Sequence, residues 1–494
     1  MSDGSSFADY AIWEFLIQIG FLFVVLILAN IMRRKIKFLR NSLLPSSVIG
    51  GLIALLINFT LQMTLPEESN FIKTNVMEAI TYHTLGLGFI SLALKINYNK
   101  SEKSNKSAVL DTGTIVVSTY LLQGILGLGL TLVMAYTFLP GLFKASGLIL
   151  PLGFGQGPGQ ALNFGGIYED LGFEGGKSFG LSVAAIGFLF ACIGGVIYLN
   201  ILRKRGKFTK PTAETSDAVT SDEKISAPNE LPLSESVDKF TVQLALVFGI
   251  YLATYLFMLA IQKITDTGVL GTFGTETLSP LIWGFNFLIG TIFAFIVGKI
   301  MATLRKKKVM NRVYPSNYLL NRFGGAMFDL MILAGICAID LRRMATNVIP
   351  LAVICIIGGF ATFFYVFKIC KKCFPTYPLE AAMSLYGMLT GTASTGMILL
   401  REVDPDFKTP AANNLVMQSV PAIILGFPML LLLGLAPKGT WQIFVTFGAL
   451  IVLFVLMHVL LFRSSIFKRK KKNLVQAADN ETNEIKEVNE KLKE

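Results

Sequence analysis

The sequence is poor in the side chains that most catalytic centres need. Its 494 residues include two histidines, His83 and His458, five cysteines and three tryptophans. Two histidines so placed complete neither a Ser/His/Asp triad nor an HExxH helix. Cys370 and Cys373 have CxxC spacing, but no second pair or nearby histidine turns them into a metal site. They read as two thiols at a cytoplasmic membrane edge, while Cys192, Cys337 and Cys355 lie in apolar runs as small core residues. Nucleotide fingerprints are missing as well. Gly153, Gly155 and Gly157 follow no strand, and Gly176, Lys177 and Ser178 end like a P-loop whose first glycine is replaced by Leu171. No basic residue precedes the first apolar run, which argues against a cleaved signal peptide. Charge is scarce too, at 15% of residues against 53% apolar.

What fills the chain is long apolar runs, several exceeding the roughly 18–20 residues that cross a bilayer. The composition predicts an all-α polytopic membrane protein. Spans are predicted at 11–32, 43–65, 76–94, 108–138 and 178–202, then at 240–261, 278–304, 319–339, 348–369, 411–435 and 441–462. The net charge of +12 sits in short loops beside these runs. Topology and lipid contact account for it, and no aromatic-basic interleaving suggests a nucleic-acid groove. Basic loops at 33–40, 95–106 and 203–210 should face the cytoplasm, with residues 1–10 outside. Arg342 and Arg343 are the main exception to that rule.

Two stretches refuse to be ordinary spanning helices. The first carries Pro151, Gly153, Gly155, Gly157, Pro158 and Gly159; the second carries Gly387, Gly391 and Gly396. Proline removes a donor and glycine frees the chain, so these residues are predicted to act as breaks or hinges. For 203–210 to lie inside, the 141–165 segment must enter and leave on one side. Residues 203–239, rich in Ser, Thr, Pro, Glu and Asp, read as a disordered cytoplasmic linker. It separates a first repeat, 11–202, from a second, 240–436. Each has five crossings and one interrupted segment, so the halves are predicted to be inverted. An extra helix at 440–463 and a charged cytoplasmic tail at 464–494 follow. Paired interrupted segments of this kind point to a secondary transporter. Without a nucleotide-binding domain, an ion gradient must drive it.

The order of motifs resembles the bacterial sodium:glutamate symporter family. They are Leu44, Pro45, Val48, Gly50 and Gly51 near the start, then Gly153, Gly155, Gly157 and Ala161 before Gly165 and Gly166. Gly387, Gly391, Thr392, Ser394, Thr395 and Gly396 come late. The resemblance covers about residues 12–436. It implies a two-repeat transporter, a homodimer in the plasma membrane, and Na⁺-coupled carriage of glutamate or a related anion. It also implies that a body holding both interrupted segments moves against a fixed scaffold. Gln156, Pro158 and the Tyr386–Leu389 run depart from the family's usual motif residues.

An organic anion needs hydrogen-bond donors, and Na⁺ needs oxygen. Gln156, Gln160 and Asn163 in the first segment, and Thr390, Thr392, Ser394 and Thr395 in the second, are the candidate substrate contacts; the same groups would equally serve broken backbone. Asn413, with Asn414 and Gln418, either finishes a polar cavity or caps a helix. Carbonyls around Gly391, with Ser394 and Asp329, are the candidate ion ligands. Asp329 lies mid-span, where it binds Na⁺ or a coupling proton, or else pairs with a buried polar group. Glu14 and Gln18 suit helix–helix hydrogen bonding, and Asp111 and His83 suit the interface. Beside symport, a cation/proton antiporter titrating Asp329 is the alternative; an intramembrane lipid enzyme lacks a nucleophile–base pair, and a channel suits paired breaks less well.

Overall fold

Hydrocarbon offers a peptide group no partner, so the apolar runs must satisfy their own backbone as helices. The computed structural model describes residues 7, 9–64, 71–95, 106–206, 238–271, 274–310, 312–405 and 407–463. Most of the predicted linker at 203–239, and all of the tail at 464–494, lie outside the described residues. Eleven described helices are long and apolar enough to cross a membrane, five before the linker and six after it.

The first half contains α1 (Tyr10–Lys35), α2 (Ser46–Thr64), α3 (Thr74–Ala93) and α4 (Lys106–Thr137). An irregular segment then leads to α5 (Pro158–Asp170) and the long α6 (Gly176–Lys204). The second half begins with α7 (Lys239–Asp266), a short α8 (Ser279–Gly284) and α9 (Asn286–Lys306). It continues with α10 (Asn317–Cys337), α11 (Val348–Cys373), α12 (Pro378–Thr390) and α13 (Ala393–Val403). Then come α14 (Ala411–Met417), α15 (Ser419–Leu435) and finally α16 (Thr440–Leu461).

The predicted spans at 278–304 and 411–435 are each divided, the second at Gln418 between α14 and α15. A single helix over 278–304 is expected, but the backbone breaks at Phe285 (φ −102°, ψ 22°). Neighbours make the break tolerable. Tyr82 Oη donates to Trp283 O at 2.7 Å, and Asn163 Nδ2 donates to Gly284 O at 2.9 Å. Carbonyls next to the break are thereby satisfied inside the fold.

Packing sorts the helices into two bodies. In one, α3 lies against α10, flanked by α1, α2, α7 and α9. Their pairing is antiparallel. Idealised β-carbons on Gly88 and Gly335 meet Phe328 and Thr81 at 2.9 and 3.4 Å, so one helix descends as the other rises. Leu87, Ile90, Val247, Ile250, Ala294 and Leu320 form an apolar cluster within this body. In the other, α4 lies antiparallel to α11, with Ser118 bonded to Tyr365 and Gln123 bonded to Thr362. Around that pair gather both interrupted segments, α6, α14, α15 and α16. Leu450 and Phe447 of α16 pack over Gly124 and Gly129 of α4, and Arg463 Nη1 donates to Asp111 Oδ1 at 2.7 Å. Val24 on α1, Leu252 and Leu256 on α7, and Val452 and Val455 on α16 point outward. Such faces suit lipid, not water.

Candidate functional site

The first interrupted segment is a hairpin. After α4, the chain turns back beside it through a 3₁₀ turn (Ser146–Ile149) and a π turn (Leu152–Gln156). Pro151 has no N–H to give, so regular α-helical bonding is already incomplete there. Tyr120 of α4 donates its hydroxyl to Gly155 O at 2.9 Å and satisfies one freed carbonyl. Gly157 turns the corner with φ 85° and ψ −177°, backbone that is essentially restricted to glycine. Pro158 opens α5 at the first helical position, where its fixed φ is already suitable. Near the far end of α5, Tyr168 returns to Phe143 with ring centroids 5.5 Å apart. The two ends of the segment therefore lie together.

A second hairpin consists of α12 and α13. Its arms cross at two glycines, with an idealised β-carbon on Gly387 only 2.8 Å from Gly396 Cα. One on Gly396 would overlap Ser384 O. The corner is Gly391 (φ −147°, ψ −108°), and extended Thr392 precedes α13.

The two corners meet. A β-carbon on Gly157 would lie 3.5 Å from Thr392 Cγ2 and 3.8 Å from Met331 Cε of α10. Gly157 and Thr392 each stand immediately before a helix, so the N-termini of α5 and α13 converge. Both present unpaired N–H groups and the positive end of a helix dipole. That convergence suits a carboxylate.

Not every predicted contact has its polar atoms available there. Gln156 is half-buried beside the first corner. Gln160 is 1% exposed, and neither of its amide atoms has a partner. Thr392 and Thr395 face each other at 3.3 Å, and Ser394 is exposed. Thr390 instead donates back to Tyr386 O at 2.7 Å, and Asn163 is engaged at Gly284 O. Asn413 is exposed on α14; its neighbour Asn414 donates to Tyr377 Oη at 2.9 Å, and Gln418 donates to Leu415 O at 3.3 Å. Asp329 is exposed on α10 and two residues before Met331. At 3.6 residues per turn these side chains leave nearly opposite faces. Arg322 and Arg401 lie over the rings of Tyr318 and Phe407, each 5.4 Å from the centroid.

Of the other predicted breakers, Gly153 and Gly155 fall in the π turn and Gly159 packs against Leu85. Gln18 accepts from Lys73 N at 3.1 Å, linking α1 to the start of α3. Sequence reasoning missed Tyr120, Gln123 and Tyr386. The Tyr386 hydroxyl donates to Phe190 O at 2.8 Å, where a π turn (Phe190–Gly194) interrupts α6. Gln123 did carry a signal, being the one amide side chain in the span at 108–138.

Facing broken hairpins inside a multi-pass helical membrane protein are the architecture of secondary transporters. Residues 14–407 match the sodium/glutamate symporter family, and the chain belongs to that family. It is a transporter and not an enzyme. Helices α14 to α16 lie beyond the matched residues. A search of curated proteins finds no match.

Proposed function

We propose that this chain couples Na⁺ entry to uptake of glutamate, or a related acidic amino acid or organic anion. The binding site in this reading is the junction of the two hairpin corners. The single observation that carries it is the convergence of the α5 and α13 N-termini at Gly157 and Thr392. Backbone N–H groups and dipole ends supply the attraction for carboxylates, with Gln156, Gln160, Thr392, Ser394 and Thr395 setting orientation. Carbonyls around Gly391, together with Ser394, supply oxygen to Na⁺. Asn163 and Thr390 serve the fold, because their donors are engaged with backbone. Asp329, exposed on α10, is kept as a second ion ligand outside the corner junction.

The cycle is alternating access. The body carrying both hairpins moves against the body built on α3 and α10. Antiparallel packing of α3 with α10, and of α4 with α11, supports an inverted repeat. Basic ends on α1, α6, α9 and α11 support an outside N-terminus, with the linker and tail in the cytoplasm. The family resemblance supports a homodimer. The cation/proton antiporter reading is not favoured by the family match.

Uptake of labelled glutamate into liposomes holding the purified chain tests the proposal. Accumulation should require an inward Na⁺ gradient, and Gln156→Ala should weaken it by about tenfold, the worth of one hydrogen bond at about 1.4 kcal/mol. Uptake indifferent to Na⁺ would sink the coupling. Full activity in Gln156→Ala would remove that residue from the site.

A further inference from the structure

Gln123 lies in the middle of α4 with no exposed surface. Its amide orientation is fixed by two acceptors. Nε2 donates to Thr362 Oγ1 of α11 at 2.9 Å and to Leu389 O of α12 at 3.0 Å. A backbone carbonyl can only accept. Thr362 gives its own hydrogen to Gly358 O at 2.7 Å, so it too accepts from Gln123. Flipping the amide would lose both bonds. Oε1 is consequently left buried with no donor to meet it. An oxygen stranded in this way costs about 1–3 kcal/mol.

Its surroundings are rich in acceptors. Helix α12 ends at Thr390, and the last carbonyls of a helix have no partner within it. Leu389 O is one of these, and the negative end of the α12 dipole falls in the same place. The Thr390 hydroxyl is directed back to Tyr386 O and offers no hydrogen to the end of the helix. Gln123, Thr362 and Thr390 are all fully buried. Burial of that kind excludes a group as large as an amino acid, and a dehydrated monatomic cation is the ligand that oxygens of this type attract.

We propose that Gln123 Oε1 and the carbonyl end of α12 form a Na⁺ site on the buried side of the second hairpin. The inference rests on the symporter reading and deepens it, adding a side-chain ligand from α4 to the carbonyls that lead into the Gly391 corner. Because Nε2 of the same amide holds α11, an ion at Oε1 braces the α12 arm against the crossing of α4 and α11. Ion occupancy then stiffens the hairpin that the substrate meets on its other side.

The test uses the purified full chain in detergent, without glutamate, and follows thermal unfolding as Na⁺ replaces choline. Wild type should gain stability with Na⁺ and not with K⁺. Gln123→Met should raise the Na⁺ concentration for half-maximal stabilisation by about tenfold or more. Thr362→Val removes a partner of Nε2 but leaves Oε1, so it should keep the wild-type Na⁺ response even if its midpoint in choline falls. Gln123→Glu, which adds charge at the oxygen, should lower the half-maximal concentration. Equal Na⁺ responses in wild type, Gln123→Met and Gln123→Glu would show the amide to be structural, or its oxygen to hold water, and would overturn the site. So would equal stabilisation by K⁺ and Na⁺. Liposome uptake that ignores Na⁺ in wild type would instead sink the symporter reading, which makes the two failures distinguishable.

Discussion

Tyr120 and Gln123 stand about one turn apart on α4 and serve opposite hairpins. Tyr120 donates to Gly155 O of the first, and Gln123 donates to Leu389 O of the second. The same device recurs where Tyr168 Oη reaches Leu433 O at 2.9 Å and Tyr386 Oη reaches Phe190 O. Irregular backbone at membrane depth survives only when protein groups replace the missing partners. Tyrosine suits this task because its ring packs with apolar neighbours while its tip donates. Tyr120→Phe keeps the ring and removes the donor, leaving Gly155 O buried without it. Stability should fall by about 1–3 kcal/mol, read as a lower unfolding midpoint in detergent. An unchanged midpoint would mean that another donor already serves Gly155. None of this was legible from spacing, since which tyrosine reaches which carbonyl depends on helices far apart in the chain.

Each hairpin is an element defined by its corner. Gly157 is the tighter constraint, because its φ of 85° with ψ of −177° strains any residue bearing a β-carbon. Gly157→Ala should therefore cost about 1–3 kcal/mol and reduce uptake more than it reduces expression. Retention of both wild-type stability and uptake would show that the corner can adopt another shape. Existence of both breaks was legible in Pro151, Gly153, Gly155, Gly157, Pro158, Gly387, Gly391 and Gly396. The break at Phe285 was not, because Pro280 suits the opening turn of a helix and nothing local forbids its continuation. It is accommodated by Tyr82 and Asn163, which belong to other elements. Likewise, sequence placed Thr390 and Thr392 in one polar group. Helical geometry turned the first back on its own backbone and left the second at the corner.

At the scale of the whole molecule, the hairpin-bearing body touches its neighbour through contacts of different strength. Pro158 and Leu181 pack against Gly335, where an added β-carbon would meet them at 3.0 and 3.2 Å. Toward the start of α6, Lys177 Nζ reaches Glu78 of the other body at 2.9 Å and Glu169 of its own at 3.8 Å. These side chains are only partly buried, and pairs of that kind contribute about 0–1 kcal/mol. Such a contact is readily broken and re-formed. If the bodies move past one another, joining Glu78→Cys to Lys177→Cys with a short thiol crosslinker should abolish uptake, and cleaving the crosslink should restore it. Full uptake by the crosslinked protein would show that these two positions need not separate.

Sequence alone determined the membrane class, the number of spans and the two interrupted segments, because hydrophobicity, proline and glycine act locally. It also carried the family, through motifs at fixed spacing. Only the tertiary structure decided that the two corners meet, that Gln160 and Gln123 keep unpartnered atoms, and that Asn163 and Thr390 are engaged elsewhere. Those outcomes depend on which helices pack together. A polar side chain's role is set by the partner that reaches it, and in this chain that partner is often more than a hundred residues away.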